Sequence, residues 1–109
     1  MKIAVYCASS PTVPPSALKL GFDLGAAIAT NGHTLVWGGG AISVMGEVAR
    51  GARERGGTTV GVIPARLANI EFTDSKASEI HVVTDMRERK GKIESLADGF
   101  IALPGGLGH

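Results

Sequence analysis

The stretch HTLVWGGGAISVMGEVA, residues 33–49, runs from a short apolar segment through three glycines into an amphipathic segment. Its first part is typical of a buried strand, because Leu, Val and Trp follow one another without polar interruption. After the glycines, apolar residues return at helical spacing, at Ile42, Met45, Val48, Ala49 and Ala52. The stretch therefore predicts a strand, a tight turn and a helix, which together form one unit of an α/β fold.

The same alternation extends along the chain in both directions. Further apolar strands are predicted at residues 2–8, 58–63, 80–84 and 99–104, and further helices at 16–31 and 86–97, with Asp85 as the N-cap of the last. The strands are apolar throughout, which is typical of a parallel sheet covered on both faces. We predict a doubly wound, Rossmann-like α/β fold in a single domain over residues 1–109, with the strand near 100–103 central or nearly so.

Composition excludes several classes of protein. The net charge of +1 argues against a broad nucleic-acid interface, which requires clustered Lys and Arg. The single cysteine rules out an internal disulfide and suits a reducing compartment. No apolar stretch has the length of a membrane span. We therefore expect a cytoplasmic globular protein that binds neither nucleic acid nor membrane.

Three loops of small residues follow predicted strands: CASS at 7–10, WGGG at 37–40 and LPGGLGH at 103–109. Because ligands of parallel sheets bind beyond the carboxyl ends of the strands, these loops are expected to form one rim. The three glycines favour close contact with a ligand, and the helix that follows them would suit a phosphate. The alternative is a turn that needs glycine only for its geometry. The motif matches neither the dinucleotide fingerprint nor the Walker A loop.

The segment MRERK, residues 86–90, carries the most informative charges. On a helix Met86, Arg89, Lys90 and Ile93 share one face, and the apolar pair marks that face as the buried one. Arg89 and Lys90 should therefore point toward the rim, and Arg87 toward water. A partly buried Arg requires a carboxylate or a ligand anion nearby. The alternative is that the two charged heads extend to solvent.

The remaining candidates are weaker on residue chemistry alone. The LPGGLG loop can direct several backbone N–H groups at one anion, or it can be an ordinary turn. Ser9 and Ser10 are better placed to hydrogen-bond a ligand than to act as nucleophiles. Glu71 lies in a polar segment, where a solvated charge is the simplest interpretation. Cys7 is interpreted as a core residue, and His33 and His81 as structural, so no metal site is predicted.

The motifs YCASS, WGGGAISVMGEVA, MRERK and ALPGGLG occur in an order and at spacings that resemble the Lonely Guy (LOG) family. The resemblance covers the whole chain. It implies a phosphoribohydrolase that cleaves the N-glycosidic bond of adenosine 5′-monophosphate or its N6-modified forms. The products are the free base and ribose 5-phosphate. The resemblance also implies a homodimer and no cofactor.

The resemblance assigns roles residue by residue. It implies that Arg89 is catalytic and that the substrate is bound by Glu71, Arg89, Lys90, Ser9, Ser10, Gly39, Gly40, Met45, Gly105, Gly106, Leu107 and Gly108. The family signature continues as P-G-G-x-G-T-x-x-E, whereas His109 stands at the Thr position. We therefore expect the chain to be the N-terminal part of a longer domain. Without the signature Glu, we expect residues 1–109 alone to be inactive.

Two alternatives remain. The same core fits a non-catalytic module or carrier that binds an AMP-like ligand, since fold alone does not determine function. Pyridoxal-phosphate-dependent lysine decarboxylation is poorly supported, because no Lys has the surroundings of a Schiff-base site.

Overall fold

The structure is a computed structural model, and it describes residues 1–104. Five strands form one parallel sheet in the order β4-β3-β2-β1-β5. The elements in chain order are β1 (Lys2–Tyr6), α1 (Pro15–Thr30), β2 (Thr34–Trp37), α2 (Ser43–Glu54), β3 (Thr59–Pro64), a 3₁₀ turn (Ala65–Leu67), β4 (Glu79–Val83), α3 (Met86–Leu96) and β5 (Gly99–Ala102). The predicted α/β fold with a parallel sheet is confirmed.

Side chains of the strands point alternately to two apolar layers. Leu35 and Trp37 belong to the core beneath α1 and α2, whereas Val36 lies in the second cluster with Ile93 of α3. All three strand residues are fully buried. The uninterrupted apolar character of the strands follows from this arrangement, because both faces of the sheet are covered by helices.

Helices α1 and α2 pack with their backbones in close contact. A Cβ atom on Gly25 of α1 would overlap the carbonyl oxygen of Val48, and one on Gly51 of α2 would overlap that of Phe22. Glycine is required at these two positions because any side chain would push the helices apart.

The predicted N-cap of α3 is confirmed. The Asp85 carboxylate accepts a hydrogen bond of 2.8 Å from the backbone N–H of Glu88. The Glu88 carboxylate in turn accepts from the backbone N–H of Thr84 at 3.0 Å. This reciprocal arrangement resembles a capping box and fixes the start of α3. In the described residues, no helix combines the length and the apolar character that crossing a lipid bilayer requires.

The prediction that the last strand is central is wrong for the described residues, where β5 lies at the edge of the sheet beside β1. Phe100 stacks on Tyr6 with ring centroids 6.1 Å apart, yet it is 52% exposed. An apolar sequence indicates that a strand packs against other apolar parts of the protein. It does not specify the strand order, which depends on the path of the connecting helices.

Candidate functional site

A buried ion pair joins α3 to the segment between β3 and β4. Nη2 of Arg89 donates to Oε1 of Glu71 at 2.7 Å, and the two residues are only 6% and 7% exposed. The Arg89 guanidinium also donates to two backbone carbonyls, through Nε to Val62 at 3.0 Å and through Nη2 to Gly38. The carboxylate that the sequence required beside Arg89 is thus Glu71.

The other oxygen of Glu71 faces the loop that follows β1. Oγ of Ser9 donates to Oε2 of Glu71 at 3.3 Å. The interpretation of Glu71 as a solvated charge is therefore wrong. Its segment folds back over the loop after β2, where Ala41 N–H donates to the carbonyls of Glu71 and Phe72, at 3.0 Å and 2.7 Å. This fold-back is a tertiary contact, so the polar character of the segment gave no sign of it.

A second ion pair, which the sequence did not predict, holds the same segment in place. Asp74 is 6% exposed, and its Oδ2 accepts from Nη1 of Arg53 in α2 at 2.8 Å. The backbone N–H of Asp74 donates to the Gly39 carbonyl at 2.8 Å. Glu71 is thus fixed from its C-terminal side, three residues away. A buried carboxylate in a polar loop has no sequence signal without knowledge of its partner.

One cavity of about 850 Å³ opens beside the Arg89–Glu71 pair, and we call it the cationic cavity. Arg87, Arg89 and Lys90 outnumber Glu71 and Glu94 on its wall. Its lining residues are Val5, Tyr6, Cys7, Ala8, Ser9, Ser10, Gly38, Met45, Glu71, Met86, Arg87, Arg89, Lys90, Ile93, Glu94 and Phe100. The positive wall suits an anionic group.

The predicted helical face of α3 is correct only in part. Arg89 and Ile93 are buried, but Met86 is 46% exposed and Lys90 is exposed on the cavity wall. Arg87, expected to point away, lines the same cavity. The reason is that α3 begins at the carboxyl edge of the sheet, so its first turn projects beyond the core.

Cys7 lies next to the ion pair and lines the cationic cavity. Its burial, predicted from the sequence, raises the pKa of the thiol to about 12. The nearby Arg89 guanidinium lowers this pKa, but by less than burial raises it, and the Glu71 carboxylate raises it further. The thiol therefore stays protonated near neutral pH and is a poor nucleophile.

A second cavity, also about 850 Å³, lies on the other side of Glu71, and we call it the apolar cavity. Its lining residues are Ser9, Pro11, Val13, Leu18, Ala41, Ile42, Ser43, Glu47, Leu67, Ile70, Glu71 and Phe72. Ser9 and Glu71 line both cavities and so separate them. No motif of the sequence predicted this cavity. A signal existed in Ile70 and Phe72, two large apolar residues that flank Glu71 in a polar segment.

The remaining candidates are placed as follows. Ser10 and Met45 line the cationic cavity. Gly39 and Gly40 line neither cavity. A Cβ on Gly40 would lie 3.2 Å from the Glu71 carbonyl oxygen, so this glycine admits the Glu71 backbone instead. Gly105, Gly106, Leu107 and Gly108 lie outside the described residues.

The N-terminus of α2 is less suited to a phosphate than expected. Its first residue, Ser43, faces the apolar cavity together with Glu47 and Glu71. These two carboxylates would repel a phosphate there. The Arg and Lys side chains of the cationic cavity are the better counterions.

His33 and His81 both have local partners. His33 contacts the N-terminal amine at 3.1 Å, and His81 lies 3.5 Å from the Glu79 carboxylate. Within residues 1–104, His, Cys, Asp and Glu side chains form no group of three or more that could hold a metal ion.

Comparison with known proteins supports the resemblance seen in the motifs. A family model described as possible lysine decarboxylase matches residues 45–109, which is more than half of the chain. The chain belongs to this family, which is the LOG family. It is 53% identical to a protein of Mycobacterium marinum and 54% identical to one of Mycobacterium tuberculosis. Both relatives are named cytokinin riboside 5′-monophosphate phosphoribohydrolase. Each match covers 97% of this chain and 56% of the relative, so the chain spans about half the length of these LOG proteins.

Solved structures with the same fold include molybdenum cofactor proteins. The chain superposes with a TM-score of 0.79 and 26% identity on the molybdenum cofactor binding protein of Rippkaea orientalis, over 93% of this chain and 60% of that one. It superposes with the same TM-score and 28% identity on the Moco carrier protein of Chlamydomonas reinhardtii, over 96% and 64%. The LOG fold thus occurs both in proteins named as enzymes and in proteins named as cofactor carriers.

Proposed function

We propose that the protein hydrolyses the N-glycosidic bond of adenosine 5′-monophosphate or its N6-modified forms. The products are the free base and ribose 5-phosphate. The observation that carries this proposal is the buried Arg89–Glu71 pair on the wall of the cationic cavity. The names of the mycobacterial relatives, at more than 50% identity, support the same reaction.

Glu71 is the carboxylate that this geometry offers to the sugar. Cleavage of an N-glycosidic bond develops positive charge on the ribose, and a nearby carboxylate stabilises that charge. Arg89 and Ser9 each hold one oxygen of Glu71. Each oxygen retains acceptor capacity for a ribose hydroxyl, since a carboxylate oxygen accepts more than one hydrogen bond. We assign Glu71 to substrate contact at the sugar.

Arg89 is the cation of the proposed catalytic site. Its Nε and Nη2 groups are occupied by Val62, Gly38 and Glu71. Its Nη1 group contacts only the Met86 sulphur, at 3.7 Å, within the described part of the chain. The N–H groups of Nη1 can therefore donate to an oxygen of the substrate. Lys90 is assigned to the phosphate, because it is exposed on the same wall.

The finer assignments belong to the same proposal. Gly105, Gly106, Leu107 and Gly108 are proposed to bind the phosphate through backbone N–H groups, as the family signature implies. Ser10 and Met45 are proposed to contact the nucleotide on the wall of the cationic cavity. A homodimer is proposed from the LOG resemblance, and a cytoplasmic location from the single cysteine.

The test is an assay of base release from AMP and from N6-isopentenyl AMP, with and without EDTA. The complete protein should release adenine or the modified base together with ribose 5-phosphate, and EDTA should not reduce the rate. Absence of base release from both nucleotides would contradict the proposed reaction. Loss of release in EDTA would contradict a mechanism without a metal.

A carrier function is the second candidate, favoured by the structural similarity to molybdenum cofactor proteins. A carrier would bind its phosphorylated ligand and leave it intact. Equilibrium binding of AMP and of the molybdenum cofactor, measured beside the base-release assay, separates the two functions. Tight binding of the cofactor without release of any base would favour the carrier.

A further inference from the structure

The two cavities on either side of Glu71 differ in charge. The cationic cavity carries Arg87, Arg89 and Lys90. The apolar cavity has no Lys or Arg on its described wall, and its charged groups are the carboxylates of Glu47 and Glu71. An anion is therefore attracted to one cavity and repelled by the other.

A nucleoside 5′-monophosphate likewise has one charged part and one neutral part. Its phosphate is anionic, and its base is neutral and planar, with exocyclic N–H groups that donate hydrogen bonds. We propose, on the basis of the proposed function, that the apolar cavity holds the base and any apolar substituent on it, with Ile70 and Phe72 as specificity-determining residues. The phosphate then lies in the cationic cavity.

This placement puts the bond to be cleaved beside the Glu71 carboxylate. The N-glycosidic bond joins the base to the sugar, so it must cross between the two cavities. Ser9 and Glu71 are the residues that line both. The developing charge on the ribose therefore arises next to Glu71, where a carboxylate stabilises it most.

The backbone supports a ligand-binding role for this wall. Ser43 and Phe72 have φ values of 56° and 50°, and they are the non-glycine residues with positive φ in the described chain. Both line the apolar cavity. A left-handed conformation is costly for a residue as bulky as Phe, and such strain concentrates at binding sites.

The Phe72 ring and the Ile70 side chain are exposed at this wall. Phe72 is 61% exposed, and the neighbouring Ile70 is 65% exposed. The hydrogen bond from Ala41 N–H to the Phe72 carbonyl, at 2.7 Å, fixes the backbone beneath the ring. An apolar substituent on the base would cover both side chains and remove their surface from water.

The experiment compares kcat/KM for N6-isopentenyl AMP with that for AMP in the complete protein. Phe72→Asn removes the ring and tolerates the left-handed backbone, and Ile70→Ala shortens the second side chain without a backbone change. Each variant should lower the ratio of the two values about tenfold, the effect typical of lost apolar contact in a pocket. Leu20→Ala is the matched control, because Leu20 is an exposed apolar residue of α1 outside both cavities. It should leave the ratio unchanged.

Binding measurements separate this inference from the proposed reaction. Calorimetry should show that both variants weaken the binding of N6-isopentenyl AMP more than the binding of AMP. Inhibition by ribose 5-phosphate should stay unchanged. Lys90→Ala should instead weaken the binding of ribose 5-phosphate. If the wild-type protein shows these binding preferences but releases no base, the reaction is refuted and the subsite stands. If base is released and neither variant changes the ratio, the subsite assignment is overturned.

Discussion

The contact between α1 and α2 and the rim around Glu71 are organised by different forces. The helices meet through Gly25 and Gly51, where backbone lies against backbone and no charge is involved. The rim contains a buried ion pair, Arg89 with Glu71, and two left-handed residues beside an open cavity. The helix contact lowers the free energy of the fold, whereas burial of charge and backbone strain at the rim raise it.

The difference indicates where function is located. Selection for stability alone would replace a strained or charged buried group, because well-packed apolar residues at the same place give equal or greater stability. The rim retains its charges at the carboxyl edge of the sheet, where α/β folds bind ligands. Substitutions in the helix contact should therefore change stability alone, whereas substitutions at the rim should also change activity.

The largest effect is expected from Glu71→Ala. This change leaves Arg89 buried without its carboxylate, which typically costs about 3–5 kcal/mol in the free energy of unfolding. Chemical denaturation measures the loss. The matched control is Glu54→Ala, which breaks an exposed pair with Arg50 and should have little effect. Similar losses in the two variants would remove the distinction between rim and surface.

Next in size is the effect of Arg89→Ala on catalysis. We expect base release to fall about a hundredfold or more, because a preorganised donor at the reacting centre is lost. Arg87→Ala should reduce it far less, since Arg87 lines the same cavity without contacting Glu71 in the described structure. The comparison is made on kcat and KM separately. Equal reductions would show that the wrong arginine was assigned to the site.

The helix contact should respond to Gly25→Ala with a loss of about 1–3 kcal/mol in stability, the usual cost of overpacking. The new methyl group would collide with the Val48 backbone. Gly91→Ala is the control, because space around Gly91 in α3 is open and Ala favours helix. It should raise the melting temperature. A Gly25→Ala protein of unchanged stability would refute the close contact.

The smallest expected effect has the opposite sign. Ser43→Gly should stabilise the protein by about 1 kcal/mol, because it relieves a left-handed backbone at a non-glycine residue. It also removes a buried hydroxyl that has no hydrogen-bond partner among residues 1–104. Ser95→Gly, in the exposed part of α3, should instead lose stability. Destabilisation by both changes would contradict strain at Ser43.

Much of the fold was predictable because its signals are local. The apolar run at β2, the glycine turn and the helical spacing of α2 act over a few residues, and each predicts its element without reference to the rest. The Asp85 cap is likewise set by contact with Glu88, three residues away. Even the need for a carboxylate beside Arg89 follows from the cost of burying an unpaired charge.

The tertiary structure decided which residues meet. Glu71 is 18 residues from Arg89 and 62 from Ser9, so its pairing depends on the path of the whole chain. The edge position of β5 and the division of the rim into two cavities have the same origin. Local sequence determines which elements form and which faces they bury. Contacts between distant residues depend on how those elements are arranged, because many arrangements satisfy the same local preferences.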